Sequence, residues 1–588
     1  MASPPIEELA KEWLRLDRDP TTRDEIYRLL NRGEKEELER RLRKRIAFGT
    51  AGLRASMQAG FARLNSLTVI QASQGLAAYL LASVPDVKHR GVVIGRDARH
   101  NSEKFAKLTA AAFVAKGIRV WWCEDHVHTP LVPFGVRELT AAAGIMITAS
   151  HNPAQDNGYK VYWGNGCQII PPHDIAIARA IEQNLDPITW DTSVVDDGSL
   201  LIEGAIGLVR DSYFRAVKLT AVPEKVLRPD PAGLNFVYTP MHGVGLPYMA
   251  QAVKDLGFAD CMHVVQAQAK PDPDFPTVKF PNPEEKGALD LAKQTADEVG
   301  AALIIASDPD ADRLAAAVKL DDASWRQLTG NQLGVLLASH VLATYPKEKP
   351  REKLAMLASA VSSRMLAAMA QAEGFKFAET LTGFKWLGNI GIRLDGEGYD
   401  VRFAYEEALG YMLPSVVNDK DSISAAAYFL TAVTRWQADE GLTPWGKLQQ
   451  LYARYGFFAD ANTYLVSPDP DTTNRVFGDI RALADPYPAA LGERAIRRWR
   501  DLTVGYDSAA EDPQVPDLPV SPDSQMITCE LDGGVRFTVR GSGTEPKIKL
   551  YIEASAASEK EAQQTADAVL ADLLKEWFKP EVNGLRLA

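Results

Sequence analysis

Thr148–Lys160 reads T-A-S-H-N-P-A-Q-D-N-G-Y-K. Ile145, Met146 and Ile147 precede it as the end of a buried strand, after which the chain turns abruptly polar. Pro153 and Gly158 exclude a regular element there. Ser150 stands on the turn, with His151 beside it and Lys160 further along the same stretch. A serine on a sharp turn after a buried strand is held rigidly and still faces outward, as a covalent nucleophile or phosphoryl carrier must. Ser150 and Asn152 could equally make ordinary side-chain turns. The rest of the chain decides between these readings.

Working outward, a strand–helix pattern occurs three times. The first pass has strands at 92–95, 118–122 and 144–148, with helices near 102–116 and 131–139. The second has strands at 235–238, 262–266 and 301–306, with helices near 245–256 and 286–299. It ends in S-D-P-D-A-D-R, Ser307–Arg313. The third has strands at 354–358, 375–378 and 401–404, with helices near 364–373 and 385–390. It ends in Y-E-E-A-L-G, Tyr405–Gly410. Alternating strands and helices indicate parallel α/β units with right-handed crossovers. Ligands in such sheets sit beyond the carboxyl ends of the strands, where all three polar loops lie. If the units face a common centre, the loops share one cleft. Residues 6–47 read as helix, as does 423–455 with a break near Pro444. Residues 508–524 are rich in Pro, Asp and Ser and read as a loop. Strands at 535–539 and 548–553 flank R-G-S-G-T-E-P-K, Arg540–Lys547, and a helix near 559–577 follows. This last region reads as a smaller α+β domain.

At 588 residues the chain has room for about four domains. Hydrophobic content of 46% and charged content of 24% are those of a globular protein with a sizeable core. A net charge of -12 argues against nucleic-acid partners, so an anionic ligand needs a locally basic pocket. The four cysteines, Cys123, Cys167, Cys261 and Cys529, are widely spaced and suggest neither a zinc site nor a disulfide framework. The first residues lack the apolar run of a signal peptide, and no stretch is long enough to span a membrane. A cytoplasmic protein with no membrane partner, a monomer or weak dimer, is expected.

The loops carry chemistry. Asp308, Asp310 and Asp312 alternate after a buried strand, so their oxygens can converge on one hard cation such as Mg²⁺. An EF-hand is excluded, because its glycine and glutamate positions hold Arg313 and Lys319. Gly49–Arg54, G-T-A-G-L-R, can cradle a phosphate with Arg54 behind it. Arg540, Ser542, Gly543, Thr544 and Lys547 offer two cations, two hydroxyls and backbone N–H groups, a phosphate-binding set. Glu406 and Glu407 can act as an acid/base pair or accept hydrogen bonds from sugar hydroxyls. Thr382 and Gly383 open the short helix that carries Lys385.

Together G-T-A-G-L-R, T-A-S-H-N-P, D-P-D-A-D-R, the E-E loop and R-G-S-G-T-E-P-K resemble, in order, the α-D-phosphohexomutase superfamily. The resemblance implies three topologically similar α/β domains with mixed sheets and a smaller C-terminal α+β domain around a central cleft. It implies a phosphoserine-bearing domain at 1–209, a metal-binding domain at 210–328, a sugar-binding domain at 329–456 and a phosphate-binding domain at 457–588. Ser150 becomes the phosphoserine, and Asp308, Asp310 and Asp312 hold Mg²⁺ together with its phosphate. Arg54, His151, Lys160, Arg313 and Lys385 match positions near the transferring group and the substrate. Glu406 binds sugar hydroxyls, and the Arg540 loop binds the distal phosphate. The implied reaction moves a phosphoryl group between sugar positions through a sugar bisphosphate. Glucose 1,6-bisphosphate or ribose 1,5-bisphosphate would be the activator.

One departure narrows the expectation. Many glucose-specific members carry E-E-S-F-G, whereas this chain has Glu406-Glu407-Ala408-Leu409-Gly410. With G-Y-K-V-Y-W-G-N-G-C-Q-I-I-P-P-H-D, this is similar to the eukaryotic phosphopentomutase or phosphoribomutase branch. A pentose phosphate is the expected substrate, with glucose phosphate second. The alternatives are a phosphoglucomutase proper, a glucose 1,6-bisphosphate synthase, a phosphoserine-dependent phosphatase and a non-catalytic sugar-phosphate sensor.

Overall fold

The computed structural model describes residues 4–49, 52–222, 233–511, 513–542 and 546–587. They divide into two compact units: Met1–Ala343 with Phe384–Thr443, and Thr344–Gly383 with Pro444–Ala588.

The first unit holds two sheets of the same design. In one, the strand order is 53–56, 156–163, 143–147, 92–96, 120–122 and 202–204. Val92–Arg96 pairs in parallel with Val120–Trp122 and Ala143–Ile147, while Asp156–Trp163 returns antiparallel to Ala143–Ile147. In the other, Phe236–Thr239 pairs in parallel with Met262–Val264 and Leu303–Ser307, and Leu314–Lys319 returns antiparallel. The strand Asp400–Glu406 likewise meets an antiparallel partner, Gly410–Met412. Each polar loop is thus the tip of a hairpin between a strand and its return strand. These return strands are not singled out by the sequence pattern, and Asp156–Trp163 overturns the expectation that Gly158 excludes a regular element there: the strand runs through that glycine, and only the turn around Pro153 stays irregular.

Helix boundaries follow local chemistry. Residues 6–47 form three helices, Ile6–Leu16, Pro20–Arg32 and Lys35–Leu42, instead of one. Asp19 caps the second, accepting from the Thr21 N–H with Pro20 in the first turn, and Gly33 at φ 66° ends it. The helix expected from 286 begins at Asp290, after Gly287 at φ 84°. Helix Ser66–Ser83 went unread because every residue from Ser66 to Ala77 is buried, which leaves no amphipathic stripe to see. Its Asn65 cap forms a reciprocal capping box with Thr68. Leu76, Phe105, Phe113, Ile94, Ile145 and Tyr159 pack in the core of the first sheet. Among the described residues no helix is long and apolar enough to cross a membrane.

In the second unit, Leu354–Ser359 and Lys376–Thr380 are parallel neighbours. A largely antiparallel sheet follows, with central strands Arg494–Asp501, Met526–Leu531, Val535–Gly541 and Lys547–Ala556. Helices Pro470–Arg481 and Glu559–Asp572 cover it, with Phe477, Trp499, Phe537, Trp577 and Phe578 in the core between. Buried Glu379 is held well below the usual carboxylate range. Burial alone would raise it, but Arg536 and Arg500, each 2.6 Å away, outweigh burial.

Candidate active site

Strand Ala143–Ile147 is wholly buried and delivers Thr148 and Ser150 to the hairpin tip. The Thr148 hydroxyl accepts from the Ser150 N–H at 2.9 Å, and Ser150 takes a left-handed backbone, φ 54°. An L-residue rarely adopts that conformation without support. Arg99 supplies the support. Its guanidinium donates to the carbonyls of Ser150 (2.6 Å), Asn152 (2.6 Å), Pro153 (2.9 Å) and Asp156 (3.2 Å). It is buried and paired with Asp97 at 3.3 Å. One planar fork thus fixes four carbonyls of the nucleophile loop. Arg99→Lys is expected to lower kcat by about 10- to 100-fold while far-UV circular dichroism stays unchanged, because an ammonium cannot reproduce a planar multi-carbonyl clamp. A kcat within threefold of wild type would show that the loop holds itself.

Ser150 Oγ donates to Asp308 Oδ2 at 2.9 Å, across 158 residues of chain. Asp308, Asp310 and Asp312 are all fully buried, and one oxygen from each lies within 4.8 Å of the others. Ala311 at the tip is left-handed too, φ 52°, and the Asp308 Oδ1 accepts from the N–H groups of Asp312 and Arg313. Lys160, on the return strand behind Ser150, donates to Asp310 at 2.7 Å and Asp312 at 2.9 Å. Thr129 donates to Asp310 at 2.6 Å. Burial opposes ionisation of Asp310 and Asp312, but Lys160, joined by Lys420, outweighs it and holds both below the ordinary range. Asp308 goes the other way: burial and the charges of Asp310 and Asp312 push it well up. One carboxyl in three thus lacks a full countercharge. Asp310 Oδ1 and Asp312 Oδ1 are buried without a hydrogen-bond partner. Orphaned acceptors converging beside an undercompensated carboxyl fit a hard divalent cation.

His151 Nδ1 is 3.3 Å from Ser150 Oγ. Burial, with Arg313 and Arg54, holds the imidazole neutral, well below its usual range. Arg54 is exposed, donates to Asn152 at 3.2 Å and feels the charges of Arg313, Asp310 and Asp312. Arg313 donates to the Ala408 carbonyl, and the Leu314 N–H to the Leu409 carbonyl at 3.0 Å. The third loop is thereby tied to the second, and its Leu409 is again left-handed, φ 60°. Glu406 acts electrostatically on both Arg313 and Lys385; burial lowers the Lys385 ammonium, and Asp174 and Glu406 oppose it.

The structure therefore brings Arg54, Ser150, His151, Lys160, Asp308, Asp310, Asp312, Arg313, Glu406, Ala408 and Lys385 into one unit, with the contacts given above. Thr382, Gly383, Arg540, Ser542 and Lys547 belong to the other unit. There Arg540 donates to the Tyr551 hydroxyl at 3.4 Å, the Ser542 N–H to the Lys547 carbonyl at 2.8 Å, and Lys547 lies 4.5 Å from the Tyr464 ring centre. Ser542 and Lys547 line a cavity of about 400 Å³ with Thr473 and Asn474. Gly543 and Thr544 lie outside the described residues.

Sequence reasoning missed Lys420, Thr129 and Arg99. Lys420 is buried and reaches Asp312 at 2.9 Å. Its signal was the polar run Asn418–Ser422 immediately before a buried helix, Ser422–Arg435, where solvated residues are out of place.

Comparison with known proteins gives the family. Models of the phosphoglucomutase/phosphomannomutase family match residues 45–187, 211–321 and 329–455 as its alpha/beta/alpha domains I, II and III, and 511–571 as its C-terminal domain. The chain belongs to this family. It is 47% identical over 587 residues to a "Probable phosphoribomutase" of Schizosaccharomyces pombe, covering 99% of both chains. It is 40% identical over 605 residues to the "Glucose 1,6-bisphosphate synthase" of Homo sapiens, covering 99% of this chain and 96% of the other. A crystal structure of a phosphoglucomutase/phosphomannomutase family protein from Burkholderia thailandensis superposes with a TM-score of 0.65 at 18% identity, over 90% of this chain and 98% of that one.

Proposed function

We propose that the chain is a phosphosugar mutase that interconverts the 1-phosphate and 5-phosphate of ribose or deoxyribose. Secondarily it interconverts the 1- and 6-phosphates of glucose. Ser150 is the phosphoryl carrier. The observation that carries this reading is the 2.9 Å contact of Ser150 Oγ with Asp308, inside a buried carboxylate triad flanked by Lys160 and Lys420.

In the first half-reaction a sugar hydroxyl attacks the phosphorus held on Ser150. The P–Oγ bond breaks as the new P–O bond to the sugar forms. The proton lost by the attacking hydroxyl balances the one gained by the released Oγ, and in the return step neutral His151, 3.3 Å from Oγ, can take the Ser150 proton as that oxygen attacks. The bisphosphate then turns end for end, and its other phosphoryl group returns to Ser150. A phosphoserine carries about -1.5 to -2 charge, which Lys160, Arg313 and Arg54 offset from the protein side. Asp308, Asp310 and Asp312 would hold Mg²⁺, which supplies the remaining positive charge at the transferring group. Arg540, Ser542 and Lys547 would take the non-reacting phosphate. Free thiols at all four cysteines fit a reducing compartment, and we place the protein in the cytoplasm.

The human relative at 40% identity keeps bisphosphate synthesis as a second reading, since the same phosphoserine chemistry serves both. Relative kcat/KM for ribose 1-phosphate, deoxyribose 1-phosphate and glucose 1-phosphate, each with its bisphosphate, distinguishes the readings. The pentoses should lead. A higher value for glucose, or bisphosphate formation from an acyl-phosphate donor faster than any mutase turnover, overturns the proposal, and stoichiometric release of free phosphate would mark a phosphatase. Ala408→Ser should shift the ribose-to-glucose ratio toward glucose. One added side-chain hydrogen bond is worth roughly 0.5–1.5 kcal/mol, about 2- to 13-fold. Ala408 offers Arg313 only its carbonyl, so the substitution leaves that contact in place. A ratio that stays put would put the selectivity elsewhere.

A further inference from the structure

A groove of about 930 Å³ runs between helices Ile206–Ala221 and Leu246–Leu256 of the first unit. None of the catalytic residues named above lines it. Phe214 and Tyr248 stack at its base, with ring centres 6.1 Å apart. Successive helical turns bring Arg210, Phe214 and Lys218 to one face, with Asp211 and Arg215 beside them. Arg210, Arg215 and Lys218 are exposed, and none forms an ion pair with another described residue. Asp211 stands at the i,i+4 spacing from Arg215 at which helix ion pairs ordinarily form, yet the pair is not made. In a chain of net charge -12, unpaired cations gathered along one cavity are unusual.

The inner end is Arg96, only 6% exposed. It donates to the carbonyls of Cys123 (2.9 Å), Glu124 (2.9 Å) and Asp125 (3.3 Å). Its own carbonyl accepts from the Val127 N–H at 2.9 Å. Two residues beyond Val127, Thr129 holds Asp310, and three residues beyond Arg96, Arg99 clamps the Ser150 loop. Arg96 thus stands three residues from the clamp of one catalytic loop and, through the Val127 N–H, two residues from the side chain that holds the other.

We propose that this groove is a second binding site, for an organic phosphate of metabolite size. A phosphoryl group presents several anionic oxygens at once and suits guanidinium and ammonium donors together. The lining sets four cations, Arg96, Arg210, Arg215 and Lys218, against the carboxylates of Asp125, Asp211 and Asp255. Asp255 already accepts from Gln251 at 2.9 Å. The positive excess is small, so phosphate alone is held weakly. The apolar walls, Phe214, Tyr248, Val244 and Pro247, must add to it, and they select a ligand with a ring or other apolar body.

The test is calorimetric titration of the full-length protein with ADP and with inorganic pyrophosphate, on wild type and on an Arg215→Gln/Lys218→Gln variant. Both substitutions keep a good helix former at an exposed position, and kcat on the sugar phosphate without ADP serves as the control for folding. Wild type should show a class of ADP sites that pyrophosphate fills more weakly, and the variant should weaken it by on the order of tenfold or more, the loss of charge-assisted contacts. A bulkier plug, Gln251→Trp, should weaken ADP likewise. ADP isotherms that coincide for all three proteins, or pyrophosphate binding as tight as ADP, would overturn the proposal.

Discussion

Ser150→Ala is expected to lower sugar-phosphate turnover by at least about four orders of magnitude, because it removes the atom that carries the phosphoryl group. Binding of the substrate should change far less. The methyl group fits where the hydroxyl stood, and Arg99 still holds the four carbonyls of the loop. Two small costs go with the change: the hydrogen bond to Asp308 is lost, and alanine must keep a φ of 54°. Each is worth about 1–2 kcal/mol at most, too little to unfold a core of this size. The measurement pairs kcat with mass spectrometry of the protein incubated with sugar bisphosphate. Wild type should gain one phosphoryl group at Ser150, and the variant none. Residual turnover above about one hundredth of wild type, free of contaminating enzyme, would move the carrier elsewhere.

Asp312→Asn should have the next largest effect. Asp312 accepts from Lys160 and Lys420, both at 2.9 Å, and it offers one of the orphaned oxygens of the triad. The amide keeps the shape and removes the charge. Two buried ammonium groups then share Asp310 as the remaining ionised carboxylate of the triad. Losing one charged ligand at a developing phosphoryl charge costs roughly 10²- to 10³-fold in kcat. The metal readout is independent of activity. Mg²⁺ should raise the melting temperature of wild type relative to chelator-treated protein, since a ligand that binds only the folded state stabilises it. In the variant that difference should collapse. A variant that keeps the full Mg²⁺ shift, or wild type that shows none and keeps full activity in chelator, would make the aspartates a structural turn.

Much of this architecture is local and therefore legible in sequence. Runs such as Gly144–Ile147 and Leu303–Ala306 are continuously apolar because their strands are buried on both faces, and the polarity change that follows marks a loop. The serine turn, the alternating aspartates and the Gly-Ser-Gly-Thr run lie within a few residues each, so their chemistry can be weighed without knowing the fold. Where local signals failed, a physical reason is evident. Ser66–Ser83 has no stripe to read because it is surrounded, and the break at Asp19–Pro20 is hidden among charges that suit a helix equally well.

Sequence alone determined that three strand–helix units end in polar loops, and which side chains those loops carry. It could not determine what those side chains meet. The 2.9 Å contact of Ser150 with Asp308 spans 158 residues, and Lys420 reaches Asp312 from a loop that no motif marks. The opposite ionisation tendencies of Asp308 and Asp310 arise between identical side chains two residues apart. They differ because Lys160 and Thr129 reach one carboxyl and not the other. Electrostatic interactions depend on distance in space and on burial, and neither is written in chain order. The tertiary structure decided which aspartate keeps its charge, and so where a cation and a phosphoryl group can sit.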